Sequence, residues 1–343
     1  MRTVILADGK LVIKDVPKPS PGHEEVLVKI TTAGVCHSDL HLVKGDWPAF
    51  VRPFPIPMGH EGIGIVEELG PGAEKYIQKG DRVILGLGGS GGGYWCGACE
   101  YCLSGRPRLC KQAKGIIGAY ADYISVWAKS LVKLPEEISD REVPLACGGL
   151  TAYSAVKKLI KFDVVPGKPV AIIGAAGGLG HYGVQVARAF GYKVVGVDVG
   201  KEKIEFVKNL GADYAVDVSE AVEFVKEKFG GVYASIVFSP KIAGFELGLK
   251  LLKRGGVFVG VGMPAVSEGT ISMTPVELLA RDLLIMASAV GTVEEMRELV
   301  QLAADGKVKT HVSRVAGLSE ISQVLEELEE GKYAGRAIID MTK

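Results

Sequence analysis

Val170-Ala171-Ile172-Ile173-Gly174-Ala175-Ala176-Gly177-Gly178-Leu179-Gly180 decides the fold class of this 343-residue chain. Four apolar residues in a row read as a strand buried on both faces. The glycines then read as a tight turn into a helix whose apolar positions, Leu179, Val184 and Ala187, share a face. Such a turn lets backbone approach a pyrophosphate, and the helix N-terminus adds N–H donors and a positive dipole end. The spacing is Gly-x-x-Gly-x-x-Gly rather than Gly-x-Gly-x-x-Gly. The reading therefore rests on the strand–turn–helix context and on Asp198, an acid closing the next strand at 194–197. An acid there accepts from a ribose 2′-OH and repels a 2′-phosphate, which favours NAD over NADP. The plainer alternatives are a ligand-free βα turn and an acid that caps a strand end.

Working outward, residues 201–210, 219–229 and 242–252 read as helices, and 236–238, 257–259 and 283–286 as strands. Alternation of this kind gives a doubly wound parallel α/β sheet. Before about residue 150 the chain reads differently. Short strands at 26–30, 62–69 and 81–85 are broken by turns such as Pro19-Ser20-Pro21-Gly22, which predicts an irregular, mostly antiparallel β domain. After 289, helices at 293–304 and 318–330 lead to a strand at 336–339 that returns to the first domain. The expected domains are 1–149, 150–289 and a return segment 290–343.

Composition narrows the function. Lys+Arg and Asp+Glu both number 40, with no basic cluster, so nothing marks a nucleic-acid surface. The N-terminal stretch is charged by Asp8 and no run approaches 18 apolar residues, which argues against a secretion signal and a membrane span. A cytoplasmic address is expected, where thiols stay reduced and cysteine clusters bind metal. One asparagine, Asn209, in the whole chain leans towards a heat-adapted composition.

All six cysteines fall into metal-ligand patterns. Cys96, Cys99, Cys102 and Cys110 form Cys-x2-Cys-x2-Cys-x7-Cys, a complete set of soft ligands that reads as structural zinc in the lobe 96–110. Cys36 and Cys147 stand far apart, with His60 between them in Gly59-His60-Glu61. Two cysteines and a histidine make a three-ligand zinc site with one position open. An open metal beside a dinucleotide points to hydride transfer.

The order of Cys36-His37-Ser38-Asp39-Leu40-His41, Gly59-His60-Glu61, Gly80-Asp81-Arg82-Val83, the four-cysteine lobe, Cys147 and the glycine turn resembles the zinc-dependent alcohol dehydrogenases of the medium-chain dehydrogenase/reductase family, above all their shorter microbial members. The resemblance implies a GroES-like catalytic domain followed by a Rossmann coenzyme domain. It implies two zinc ions per subunit, with Cys36, His60 and Cys147 on the catalytic one, Asp39 orienting His60, and Glu61 beside the metal. Ser38 would contact the substrate oxygen, and His41 would end a proton relay. His37, Thr151, Gly174, Gly177, Gly178, Leu179, Gly180, Asp198, Lys203 and Arg336 would hold NAD, His37 and Arg336 at its phosphates.

For the substrate, a small alcohol, aldehyde or ketone, the resemblance implies a pocket with Trp47 and Met263; where relatives carry an aromatic residue, counting from Arg82-Val83 places Leu87 and counting back from Cys96 places Gly91. The glycine-rich 86–95 stretch departs from the family's more compact segment, and Trp95 would fill the pocket only by folding back. Polyol and threonine dehydrogenases usually carry glycine where His37 stands, so His37 favours a simple alcohol dehydrogenase. A metal-stabilised nucleotide-binding protein without catalysis is the alternative of another class. A homotetramer is expected, with a dimer as the alternative, through an edge strand formed by 257–261 or 283–286.

Overall fold

A computed structural model of the chain describes residues 1–48, 55–86 and 93–343. The chain divides into two compact units: Met1–Leu150 with Val290–Gly306 and Thr310–Lys343, and Thr151–Ala289 with Lys307–Lys309.

The first unit opens with β1 (Arg2–Ala7), β2 (Lys10–Asp15) and β3 (Glu25–Val35). Helix α1 (His37–Lys44) follows, then β4 (Ile56–Pro57), β5 (Glu61–Leu69) and β6 (Arg82–Leu85). A short helix α2 (Glu100–Leu103) precedes β7 (Tyr123–Trp127) and β8 (Leu131–Lys133). The unit is completed from the far end of the chain by α9 (Val293–Ala304), β15 (Val312–Gly317), α10 (Ile321–Glu329) and β16 (Arg336–Asp340). Its main sheet runs β15-β16-β3-β5-β6-β8, with β7 also on β3, and a smaller sheet runs β2-β1-β4. The long strand β3 organises it. Val26, Val28 and Ile30 alternate into a core shared with Val66, Val83 and Leu85. The closing strand lies antiparallel to β3, with Ala337 opposite Val35 and Ile338 opposite Gly34.

In the second unit β9 (Pro169–Ile173), β10 (Lys193–Asp198), β11 (Tyr214–Asp217), β12 (Val232–Val237), β13 (Leu252–Gly260) and β14 (Leu284–Ala287) form a sheet in the order β11-β10-β9-β12-β13-β14. Its neighbours are parallel. Helices α3 (Gly148–Lys157), α4 (Gly180–Ala189), α5 (Lys201–Asn209), α6 (Ala221–Phe229), α7 (Ile242–Leu251) and α8 (Pro275–Arg281) accompany the strands. The chain leaves β9 towards β11, then returns to the other side of β9 at β12. The carboxyl end of β9 is therefore a topological switch point, where ligands of such sheets bind. Strand β13 is interior, with Val257 and Val259 at 1% and 0% exposure. Of the two stretches expected to supply an edge strand, 257–261 therefore lies one strand in, between β12 and β14, and 283–286 forms an edge as β14.

Close packing sets strict limits in the β3–β5 ladder. A Cβ on Gly64 would lie 2.2 Å from the Lys29 carbonyl oxygen, a backbone atom held by sheet pairing. Gly64→Ala is expected to lower unfolding free energy by about 1–3 kcal/mol. Urea titration checks this: the midpoint should fall while the slope stays unchanged.

Candidate active site

The end of β3 and the start of β5 bring the reactive groups together. Cys36 ends β3's extended path and caps α1, with φ −123° and ψ 149°. One turn into the helix, Asp39 turns back: Asp39 Oδ2 accepts from Cys36 N at 3.1 Å. Asp39 Oδ1 lies 3.2 Å from His60 Nδ1. That contact leaves His60 Nε2 for whatever the histidine binds. Cys147 arrives from a third segment, at the end of the 3-10 turn Asp140–Ala146. Ligand atoms of Cys36, His60, Glu61 and Cys147 lie within 4.8 Å of one another.

The electrostatics of this cluster suit a cation. A hydrogen bond from Cys147, then His60, holds the Cys36 thiol well below its ordinary value, whereas that same contact and burial push Cys147 well above. Burial disfavours charge on His60, yet Asp39 and Cys36 outweigh it and raise the imidazole. Two thiols, Cys36 buried and Cys147 half-buried, and an imidazole with its second nitrogen fixed are the donor set of an open zinc site. The residues fit the metal.

Glu61 is fully buried and Arg336 is 3% exposed. Arg336 Nη2 donates to both Glu61 oxygens, at 2.6 and 2.5 Å, and to the Val35 carbonyl at 2.9 Å. Burial pushes the Glu61 carboxyl up to about 7 against the pull of Arg336. Register makes the space: Gly34 lies opposite Glu61, and a Cβ on Gly34 would sit 1.9 Å from Glu61 Oε2. Arg336, expected at the cofactor phosphates, is in this structure a buried partner of Glu61. The pair went unread in the sequence because its members are 275 positions apart. Tyr120, also unread, donates its hydroxyl to Asp39 Oδ2 at 2.7 Å.

The other expected residues of α1 stay close by. Ser38 Oγ is 3.7 Å from Cys36 Sγ. His41 Nδ1 faces Asp46 Oδ2 at 2.7 Å, and its ring lies on Trp47 with centroids 4.3 Å apart. His37 is exposed, its ring centroid 6.1 Å from that of His41. Leu87 lies outside the described residues. Trp95 packs edge-on against Trp127, centroids 4.7 Å apart.

The four-cysteine lobe is closed. Cys96, Cys99, Cys102 and Cys110 also bring their sulfurs within 4.8 Å of one another. Backbone N–H groups of Cys96 and Gln112 point at Cys110 Sγ at 3.4 Å. N–H groups of Ala98 and Cys99 hold Cys96 down to about 6, while burial and Cys99 push Cys102 up to about 12. Thiols crowded this way suit a structural metal shared by all four.

In the second unit the glycine turn is built as its sequence implied. Gly174 has φ 76°, and a Cβ on Gly180 would lie 1.9 Å from the Gly174 carbonyl oxygen. A Cβ on Gly177 would meet only that oxygen, at 3.3 Å. No side chain caps α4, whose N-cap is Leu179; together with Gly178 this leaves the open N-terminus a phosphate requires. Asp198 Oδ2 accepts from Ala176 N and Oδ1 from Val199 N, both at 2.8 Å, so the acid also braces the turn. Lys203 Nζ is 3.9 Å from Asp198 Oδ1. Thr151 is 7% and Met263 42% exposed.

Residues 22–136 match the alcohol dehydrogenase GroES-like domain, and residues 178–305 match the zinc-binding dehydrogenase domain. An alcohol dehydrogenase of Geobacillus stearothermophilus is 41% identical over 337 residues, 96% of each chain. The chain belongs to the zinc-dependent alcohol dehydrogenase family. The solved alcohol dehydrogenase of the hyperthermophilic archaeon Aeropyrum pernix is 35% identical, with a TM-score of 0.89 over 99% of this chain and 100% of that one. The acetophenone reductase of Geotrichum candidum, solved in complex with NAD, is 28% identical, with a TM-score of 0.83 over 99% and 96%. Among the described residues no helix is long and apolar enough to cross a membrane.

Metal removal should separate the two clusters. The lobe has few apolar residues of its own, and Leu103 is 76% exposed, so it depends on its metal for order. After exhaustive chelation, trypsin is expected to cut first at Arg108 or Lys111, before any strand of the main sheet. Mass spectrometry of early fragments checks this, and first cleavage elsewhere would contradict it.

Proposed function

We propose that this chain reversibly oxidises primary or secondary alcohols to aldehydes or ketones with NAD. The observation that carries the reading is the convergence of Cys36, His60 and Cys147 from separate segments, with Asp39 occupying His60 Nδ1. These residues would hold the catalytic zinc, and Cys96, Cys99, Cys102 and Cys110 the structural one. Zinc at the first site supplies Lewis acidity that polarises a carbonyl or eases loss of a hydroxyl proton near neutrality. The nicotinamide supplies the hydride acceptor.

The chain's own groups handle the proton and the binding. Ser38 presents a hydroxyl beside Cys36, where it takes the substrate proton and passes one on. His41 is the outer base. Its Nδ1 faces Asp46, so Nε2 receives the proton while the carboxylate stabilises the resulting imidazolium. Trp47 holds the ring by stacking and offers bulk to a small-alcohol substrate. Glu61 puts a carboxylate beside the metal ligands and is held there by Arg336. The open N-terminus after Gly174–Gly180 takes the pyrophosphate, and Thr151 adds a contact to the cofactor. Asp198 takes the ribose hydroxyls with Lys203 beside it and repels a 2′-phosphate. The unit of Met1–Leu150 and the C-terminal segments thus carries the metals, and that of Thr151–Ala289 the dinucleotide.

The alternatives are a polyol- or threonine-type dehydrogenase and a nucleotide-binding protein without catalysis. His37 beside Cys36 speaks against the first. The Ser38 and His41–Asp46 arrangement speaks against the second, because nucleotide binding alone needs neither. All six cysteines are free thiols, which fits a reducing cytoplasm, the compartment we assign.

A second copy of the chain would cover the edge of the parallel sheet. On β14, Leu284 and Ile285 are 46% and 51% exposed, and on α8 Val276 and Leu279 are 75% and 79% exposed. An apolar open edge is a pairing surface, and the assembly we propose is a homotetramer.

Assays over a panel of simple alcohols should show turnover with NAD exceeding that with NADP. Asp198→Gly with Val199→Arg should move the preference towards NADP, because it removes repulsion and adds a phosphate partner. A wild-type preference for NADP would refute the cofactor assignment, and inactivity across the panel despite full zinc and NADH binding would favour the non-catalytic reading.

Light scattering should give a mass four times the 36.3 kDa chain. Ile285→Asp should yield smaller species if β14 is the contact. A stable wild-type species of twice the 36.3 kDa chain would favour the dimer instead, and a mass of one chain would sink the assembly altogether.

A further inference from the structure

Tyr120 is fully buried and belongs to none of the metal-ligand or cofactor motifs. Its backbone is stitched to the residues just before His60. Tyr120 N donates to the Met58 carbonyl at 3.0 Å, and Gly118 N and Ala119 N donate to that of Gly59 at 2.8 and 3.0 Å. Its ring fills the space beside Gly59. There φ is 84°, and a Cβ would lie 2.7 Å from Tyr120 Cγ and Cδ1 and 2.6 Å from its N. The approach to His60 is therefore shaped around this one aromatic residue.

The hydroxyl reaches the other side of the centre. It lies 2.7 Å from Asp39 Oδ2 and 3.2 Å from the Gly34 carbonyl. A phenol carries one proton, and the carboxylate is the closer and stronger acceptor. Burial, then the Asp39 charge, push the phenol well above its ordinary value, so it stays a donor. Asp39 Oδ2 then accepts from both Tyr120 and Cys36 N, while Oδ1 remains for His60 Nδ1. Without the phenol, the backbone N–H would be the one hydrogen bond on Oδ2 among the described residues, and rotation of the carboxylate would meet less resistance.

We propose that Tyr120 is a positioning residue of the metal centre, whose hydroxyl fixes the Asp39 carboxylate so that Oδ1 holds His60 in its ligating orientation. It belongs to neither ligand set and acts through Asp39. The proposal rests on the metal reading of Cys36, His60 and Cys147 given above. It assigns the phenol oxygen a task that ring packing alone does not perform.

Tyr120→Phe separates the two, because it keeps the ring and the backbone bonds and removes the hydroxyl. The readout is zinc release from the full-length zinc-loaded enzyme to a chromogenic chelator. His60→Ala, which lacks the catalytic site, identifies the lobe's phase. Outer partners of a ligating histidine typically change metal affinity by about 10–100-fold. One bond further out, Tyr120→Phe is expected to speed release from the catalytic site by about tenfold and to leave the lobe's phase unchanged. With cobalt(II) in the catalytic site, the visible d–d bands should shift in Tyr120→Phe, since these report ligand orientation and not general stability. In an Asp39→Asn background, Tyr120→Phe should add little, because the two act as one unit.

Equal release from Tyr120→Phe and wild type, or equal acceleration of both phases with unchanged cobalt bands, would overturn the proposal and leave Tyr120 a packing residue. A wild-type enzyme that holds one zinc per chain and releases it as His60→Ala does would instead refute the metal reading, and the proposal with it.

Discussion

A buried carboxylate with nothing to neutralise it destabilises a fold by several kcal/mol, and the arrangement of the first unit follows from accommodating Asp39. At 1% exposure it is served by the Cys36 amide, the His60 ring and the Tyr120 phenol. Each partner belongs to a different stretch, so satisfying one side chain locks the end of β3, the start of β5 and the 118–120 segment to each other. Two of the metal ligands ride on those elements. Polar satisfaction within the protein thus helps set the geometry of the cluster.

The same logic recurs one layer away. Glu61 enters the interior because Gly34 leaves room for it and Arg336 meets its charge. A buried ion pair adds little net stability, but removing one partner leaves the other charge stranded. The pair therefore acts as a registration device. It ties the last strand to β3 and β5, and so ties the chain's closing segment to the walls of the site. That is a physical reason for a C-terminal return to the first unit.

In the second unit the constraint is steric. The turn after β9 closes tightly because Gly180 passes against the Gly174 carbonyl with no room for a Cβ. Asp198 then holds the turn from the next strand through Ala176 N. The acid read as a cofactor contact is also a structural brace, and one carboxylate has lone pairs enough for both tasks.

The elements of the coenzyme sheet were legible because β9, β10 and β12 are near-continuous apolar runs, which a strand covered on both faces must be. Strands β11 and β15 were not, since their half-exposed residues carry no clear period. The metal ligands stood out because thiols are few and their spacing is chemically specific. Pairing across long stretches of chain left no local trace. Tyr120 meets Asp39 from 81 positions away, and Arg336 meets Glu61 from 275. Likewise the sequence offered two apolar strands, and the ladder alone showed that β13 lies one strand in and β14 at the edge. The sequence by itself singled out the candidate metal-ligand sets, the glycine turn and the segments that alternate, because those properties are local. The tertiary structure decided what holds the ligands in place, because that depends on which distant groups satisfy one another's buried charge.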